Sequence, residues 1–320
     1  MKHEEDLHWA DEKEAIKSNI PLKLIIGLFK ILPAWLIRIL VYPISFFFYI
    51  FAPRARVEAK RFQNQLKEYS NGEVPKKISG YRQTLSFAFS MLEKIQGWLG
   101  LINYNNVELQ DDDSVNLIEQ LKQSKGTVIV TSHLGNIELV RCLYNHYEEY
   151  VGKTVPIVVL MEIGTSAQFI KTLNEINPGF MDNVIDTADI GPDTVCRLME
   201  ELDNGAIIII AGDRTSAHAR DKVIVSDFLG KPAKFPYGTY LLPFLLGSTV
   251  YYSFGIRDRF AIFNPKYKIH IEKSEIDTQC GRKDREKNIT ALNKEFIEKI
   301  EKYVKKYPYQ WYNFHNFWNM

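Results

Sequence analysis

Four short apolar runs in the middle of the chain constrain its fold most strongly. They are GTVIVTS at 126–132, VPIVVL at 155–160, GAIIIIAG at 205–212 and STVYYSFGI at 248–256. Each run is apolar on both faces and helical patterns separate the runs, as in a parallel sheet that helices cover on both sides. The pattern therefore predicts an α/β fold with a mainly parallel central sheet flanked by helices.

Other segments add elements to this sheet. Residues 54–104 carry apolar and aromatic side chains near helical spacing, and a shorter helix is predicted over 115–122. The alternating segment YKIHIEK at 267–273 predicts a later strand. Residues 284–306 place Ile289, Leu292, Phe296, Ile300 and Val304 on one face of a helix.

The N-terminal region contains a long hydrophobic segment, from Pro21 to Pro53. Its second half is about long enough to cross a bilayer core of ~30 Å, although Pro33 and Pro43 would kink or divide a helix there. A single span, a re-entrant hairpin and interfacial helices are all compatible with this pattern, and so is a buried helix of a soluble domain. We interpret residues 1–53 as a helical membrane anchor and 54–320 as the functional domain.

Charge and cysteine content exclude several classes of function. The 40 Lys and Arg residues nearly balance the 39 Asp and Glu residues, so no overall field attracts nucleic acid. Cys142, Cys196 and Cys280 are far apart and form no metal-ligand spacing with histidines. We predict neither a metal nor a cofactor. The start of the chain lacks the features of a secretory signal, which favours a cytoplasmic location.

The segment Thr131 to Glu138, which reads TSHLGNIE, follows the first predicted strand directly. Inside one helix, His133 and Glu138 would point about 140° apart, so the two side chains converge only if His133 lies in a turn before the helix. Gly135 permits that turn, and Asn136 is suited to cap the helix that follows.

In that arrangement His133 can act as a general base. Its ring can take a proton from an acceptor hydroxyl, while the Glu138 carboxylate fixes the tautomer and stabilises the imidazolium that forms. Backbone amides near Gly135 could stabilise an oxyanion. A solvated histidine beside an unrelated surface glutamate is the alternative.

Two further segments carry polar groups. Asp213 and Arg214 leave the run GAIIIIAG, where Arg214 could bind a phosphate and Asp213 could orient it. The segment from Asp227 to Gly238, DFLGKPAKFPYG, is predicted to be a rigid loop that contacts an amphiphilic ligand. Its candidate substrate-binding residues are Gly230, Lys231, Pro232 and Lys234, and Asn136 is a further candidate.

The blocks SHLGNIE, GDR and FLGKPAKFPYG, followed by the ending PYQWYNF at 308–314, together resemble the bacterial lipid A biosynthesis acyltransferase family. That family is part of a wider group of glycerolipid acyltransferases marked by a His, four residues and an acid. The resemblance spans nearly the whole chain and implies that His133 and Glu138 are the catalytic pair. It also implies an acyl carrier protein or coenzyme A thioester donor, a membrane lipid acceptor, and the cytoplasmic face of the bacterial inner membrane as location.

One departure bears on the acceptor. Lipid A enzymes of this family usually carry an arginine near an Asn-Pro pair, whereas this chain has Asn177-Pro178 with Lys171 nearby and no arginine. The opening His8-Trp9-Ala10 and the block AGDR look more like a branch found with aryl-polyene and related pigment-lipid pathways, which implies a different acceptor.

Two other functions remain as alternatives. A thioester or lipid hydrolase would usually need a nucleophile elbow, but G-x-S-x-G does not occur in the sequence. A non-catalytic membrane scaffold would tolerate any residue at positions 133 and 138.

Overall fold

The computed structural model describes residues 26–29, 31–99, 101–102, 104–110, 113–139, 151–164, 174–175, 183–259 and 261–318. Residues 26–29 are helical, and three longer helices follow: α1 (Ala34–Phe51), α2 (Pro53–Tyr69) and α3 (Gly80–Trp98). The region predicted as helical over 54–104 is thus two helices joined by a connection, and Pro53 starts α2 at a position where proline costs no helical hydrogen bond.

The α/β region then alternates strands and helices, as the apolar runs predict. Its described elements are β1 (Val107–Leu109), α4 (Asp113–Lys122), β2 (Thr127–Thr131), β3 (Ile157–Met161), β4 (Val184–Asp186), α5 (Pro192–Asp203), β5 (Ile207–Ala211), β6 (Val223–Phe228), β7 (Lys231–Pro236), α6 (Tyr237–Leu246), β8 (Val250–Arg257), β9 (Tyr267–Lys273) and α7 (Arg285–Lys306).

In the part of the chain that the structure describes, seven strands form one sheet in the order β1-β9-β8-β2-β5-β3-β4. All neighbouring pairs are parallel except β8 and β9, which are antiparallel. The predicted α/β fold with a mainly parallel sheet is confirmed. The central strands β2 and β8 are buried at every position, as expected for strands with helices on both faces.

The segment from Asp227 to Gly238 is not a loop. It contains most of a two-stranded antiparallel hairpin, β6 and β7, followed by the start of α6. Leu229 and Gly230 form the connection with φ of 51° and 75°, the left-handed values that tight hairpin turns require. The prediction was wrong because glycine and proline punctuate a two-residue hairpin as readily as a loop.

A buried ion pair joins α3 to the sheet. Glu93 binds Arg257 through two contacts, 2.7 Å to Nε and 2.6 Å to Nη2, and Tyr267 donates to the same carboxylate at 3.2 Å. Both charged side chains are buried. Because β8 also pairs with β2, this ion pair fixes α3 relative to the strand that leads to His133.

Helix α1 is the one described helix that is long and apolar enough to cross a membrane, judged by length and composition alone. It packs against α3 through a small cluster of buried residues that includes Ile37 and Val41. The division into residues 1–53 and 54–320 stays a prediction.

Candidate active site

The turn after β2 is built around Gly135. Its φ is +75°, and a Cβ there would lie 2.1 Å from the carbonyl oxygen of Gly255, so another side chain would force the turn away from β8. The Asn136 amide donates to that same oxygen at 2.6 Å. The Asn136 side chain accepts from the Glu138 amide at 3.1 Å, and a helix begins at Ile137. The turn and the capping contact thus follow the expectation from the sequence.

The C-terminal segment holds this turn from the other side. The Gly135 amide donates to the Gln310 carbonyl at 2.9 Å, and the Tyr312 amide donates to the His133 carbonyl at 3.0 Å. Between them, Leu134 and Trp311 form an antiparallel bridge. The Gly135 and Asn136 amides already donate within the protein, so neither of these two amides is available to stabilise the oxyanion that the sequence predicts at this turn.

The carboxylate that contacts the His133 ring is Asp213, which follows β5. Its Oδ1 lies 2.9 Å from His133 Nδ1, and its Oδ2 accepts from the His133 amide at 2.8 Å. A carboxylate only accepts, so the ring carries its proton on Nδ1 and keeps Nε2 as an acceptor. The sequence predicts this orienting role for Glu138, but in the structure it is Asp213 that contacts the ring.

Asn313 connects Asp213 to Arg214. Its amide nitrogen donates to Asp213 Oδ2 at 2.8 Å, and its amide oxygen accepts from Arg214 Nε at 2.7 Å. Both Asp213 and Asn313 are buried. The chain of contacts from His133 to Arg214 is therefore fixed by a residue of the C-terminal segment.

Burial and charge set the protonation of the dyad that His133 and Asp213 form. Burial lowers the pKa of His133, the Arg214 guanidinium lowers it further, and Asp213 only partly opposes them. For Asp213, burial raises the pKa, but the His133 ring and amide and the Arg214 guanidinium outweigh it and hold the pKa below its usual value. At neutral pH the pair is thus a neutral imidazole beside a carboxylate, the state a general base requires.

Glu138 belongs to the charge network around this dyad. The pKa of Lys94 on α3 is lowered by burial and by Arg214, and the Glu138 carboxylate opposes the shift. Lys94 also lowers the pKa of His133. Lys94 therefore acts directly on the charge of His133, whereas the interaction shown for Glu138 is with Lys94.

A cavity of about 1120 Å³ opens beside His133 and Arg214. Its walls come from the ends of β3 and β5, from α5 and from α6, and they are mostly apolar. The apolar lining includes Leu160, Ile190, Val195, Ile210, Leu241, Leu242 and Leu245. Polar groups such as Glu162, Thr215 and Ser216 also border it. The arrangement suits a ligand with a long apolar part and a reactive group near His133.

Not all predicted site residues reach this cavity. Pro236, Tyr237 and Gly238, from the end of the third block, line it, whereas Gly230, Lys231, Pro232 and Lys234 do not. Lys231 instead borders a second groove of about 620 Å³ beside α2. Asn136 is buried beneath the turn. The structure therefore unites His133, Asp213 and Arg214 at one site and gives the four hairpin residues no contact with it.

Lys171 and Asn177-Pro178, which bear on the acceptor, lie outside the described residues, as does Cys142. Among the residues that are described, no group of three or more His, Cys, Asp or Glu side chains is placed to hold a metal ion.

Replacing Asn313 with Ala removes a donor to Asp213 and an acceptor for Arg214. Hydrogen bonds to charged groups contribute about 1.5–3 kcal/mol, so we expect kcat for any His133-dependent reaction to fall by about 10- to 100-fold. Steady-state kinetics measures this, with Asn316→Ala in the same segment as the matched control. Equal kcat values for wild type and Asn313→Ala would contradict a positioning role for Asn313.

No family model matches the chain, and a search of curated proteins finds no significant match.

Proposed function

We propose that the protein is an acyltransferase that moves a fatty acyl group from a thioester donor to a hydroxyl of a membrane lipid or lipid-like acceptor. The observation that carries the proposal is the His133–Asp213 dyad at the edge of a large, mostly apolar cavity. The cavity, at about 1120 Å³, is slightly larger than the range of about 300–1,000 Å³ usual for small-molecule sites. A fatty acyl chain would bury its methylenes there, at about 0.8 kcal/mol each.

The dyad can perform the transfer without a protein nucleophile. His133 Nε2 takes the proton of the acceptor hydroxyl as its oxygen attacks the thioester carbonyl carbon. The carbon–sulfur bond then breaks, the thiolate takes the proton from the imidazolium, and an ester and a free thiol are the products. Asp213 stabilises the imidazolium between these steps and keeps the Nδ1 proton in place.

In this proposal Arg214 stabilises negative charge on the reacting groups. It lines the cavity next to His133, and its Nε is held by Asn313. A guanidinium in this position can stabilise the oxyanion that develops on the thioester carbonyl, a role that the engaged amides of the Gly135 turn do not fill. It can also contact a phosphate of the donor or the acceptor.

The resemblance to the lipid A biosynthesis acyltransferases supports the choice of substrates. On that basis the donor is an acyl carrier protein or coenzyme A thioester, and the protein works on the cytoplasmic face of the bacterial inner membrane without a cofactor. The acceptor is a lipid A-type glycolipid or, in the branch linked to aryl-polyene pathways, another lipid.

A labelled donor distinguishes transfer from hydrolysis. Purified protein is incubated with a total bacterial lipid extract and an acyl carrier protein thioester whose acyl chain carries ¹⁴C, and lipids are separated from free fatty acid. Transfer predicts label in a new lipid. Label released only as free fatty acid indicates a hydrolase, in which water replaces the alcohol, and an intact thioester indicates a scaffold. Either result contradicts the proposal.

A further inference from the structure

We propose that α1 lies along one leaflet of a lipid bilayer, with one face held by α3 and the other inserted among acyl chains, and that it does not cross the membrane. This proposal specifies how the protein attaches to the membrane, and it rests on the proposed function. Its tests measure membrane attachment and topology, not acyl transfer. The position of α1 and the acyltransferase activity can therefore be contradicted independently.

Helix α1 packs against α3 over most of its length. Near its start, Arg38 contacts Gln96 at 3.5 Å, and near its end, the ring of Tyr49 lies 5.7 Å from the ring of Tyr81. The two helices therefore run antiparallel. The buried face of α1 consists of Ile37, Val41 and Ser45, one residue per turn on a single stripe.

The rest of α1 presents an apolar surface to the outside. Phe51 is 79% exposed, Ile44 62% and Phe47 60%. Apolar patches of this kind on a protein surface mark sites that contact another molecule or a membrane. Further exposed members of the surface are Trp35, Ile39, Leu40, Phe46, Phe48 and Ile50. Phe263, stacked on Trp35, extends it beyond the helix.

The partners of α1 argue against a membrane span. An 18-residue helix is about 27 Å long, so a spanning α1 would use its full length to cross the bilayer core. Because α3 accompanies it over most of its length, α3 would enter the hydrocarbon with its charged side chains, among them Arg82 and Lys94. Arg38 is also tied to the carbonyl of Ile262 at 3.0 Å, in a segment that contains Asp258 and Arg259. Charged groups are strongly disfavoured in hydrocarbon.

Basic side chains next to the apolar surface indicate the charge of the lipids that it contacts. Arg54 and Lys60 are exposed and Arg56 is half-buried, all within the first turns of α2, directly after Phe51. A helix that inserts its apolar face shallowly brings such neighbours to the level of the lipid headgroups. Basic groups there are attracted to anionic headgroups. The surface thus fits a bilayer that contains anionic lipid.

Flotation with vesicles tests the attachment. Full-length protein is mixed with vesicles of phosphatidylethanolamine and phosphatidylglycerol and centrifuged in a density gradient. We expect Phe47→Asp/Phe51→Asp to lower partitioning by roughly 100-fold, because two phenylalanines leave the acyl chains. Val115→Asp, which changes an equally exposed apolar residue on α4, is the matched control. Wild-type protein that does not float, or a double variant that floats like wild type, overturns the proposal.

Cysteine labelling tests the topology. Single cysteines are placed before α1 (Ser18→Cys) and after it (Lys60→Cys) in a protein whose native cysteines are replaced by Ala. Both variants are expressed in bacterial cells and treated with a membrane-impermeant maleimide. The proposal predicts that neither site reacts in intact spheroplasts and that both react in inverted membrane vesicles. A site that reacts in spheroplasts while the other does not shows a span and overturns the proposal.

Discussion

Replacing Asp213 with Asn is expected to lower kcat for acyl transfer by about 10²- to 10⁴-fold, the range for loss of a general base. Asp213 Oδ2 accepts from both the His133 amide and Asn313. In the variant the amide oxygen must occupy this position, which leaves the amide NH₂ facing His133 Nδ1. Nδ1 then becomes an acceptor, the ring proton moves to Nε2, and no base faces the acceptor hydroxyl.

The matched control is Asp221→Asn, because Asp221 borders the same cavity and is exposed. We expect its kcat to stay near the wild-type value, so that the difference isolates the contact with the ring. An Asp213→Asn protein with wild-type kcat would show that another group sets the His133 tautomer.

The pH dependence of kcat/KM distinguishes a change of the His133 tautomer from a change of the His133 pKa. The lowered pKa of His133 means that the wild type loses its base only as pH falls below the ordinary histidine value of 6.5. Its kcat/KM should therefore be constant around neutral pH and fall in acid. Asp213→Asn should stay inactive across this range, since a higher pH does not move the ring proton from Nε2.

Replacing Glu93 with Gln is expected to lower the free energy of unfolding by about 3–5 kcal/mol. The change leaves the Arg257 guanidinium buried without its charged partner, and such an isolated charge is strongly disfavoured. Urea denaturation of the two proteins under identical conditions measures the difference. Because this pair holds α3 against β8, we expect the site to be lost together with the fold.

Two comparisons make this stability prediction specific. Glu119→Gln removes an exposed pair with Lys122, which should change stability by only about 0–1 kcal/mol. Glu93→Leu combined with Arg257→Met removes both charges and should be more stable than Glu93→Gln alone. If Glu93→Gln is within about 1 kcal/mol of wild type in free energy of unfolding, the buried Glu93–Arg257 pair does not stabilise the fold as expected.

The apolar runs predicted the central sheet because their signal is local. A strand with helices on both faces is rich in apolar residues, and β5 is apolar throughout. The buried strands β2 and β8 are mostly apolar, and their polar members include the threonines that begin and end β2 and Arg257 at the end of β8. The hairpin was missed because its strands are partly exposed and because β7 contains Pro232 and Pro236, which are unusual in strands. Its identity comes from pairing between the two strands, which no single segment reveals.

For the site, the sequence indicated His133, Asp213 and Arg214 separately but not how they connect. Asp213 is 80 positions from His133, and the two meet because β2 and β5 are neighbours in the sheet and end at the same edge. Asn313 was not singled out at all. The ending PYQWYNF contributes to the family resemblance, but its structural role depends on distant contacts: residues 310–312 hold the turn at 133–135, and Asn313 contacts Asp213, 100 positions away.

Mass spectrometry of a bacterial lipid extract after incubation with acyl carrier protein thioester, run with wild type and with His133→Ala, tests whether His133 is the base for acyl transfer. We expect a new lipid heavier by one acyl group with wild type, and its loss with His133→Ala. Circular dichroism of the variant confirms that the fold is retained. A folded His133→Ala protein that produces the same acylated lipid at the wild-type rate contradicts the assignment of His133 as the base.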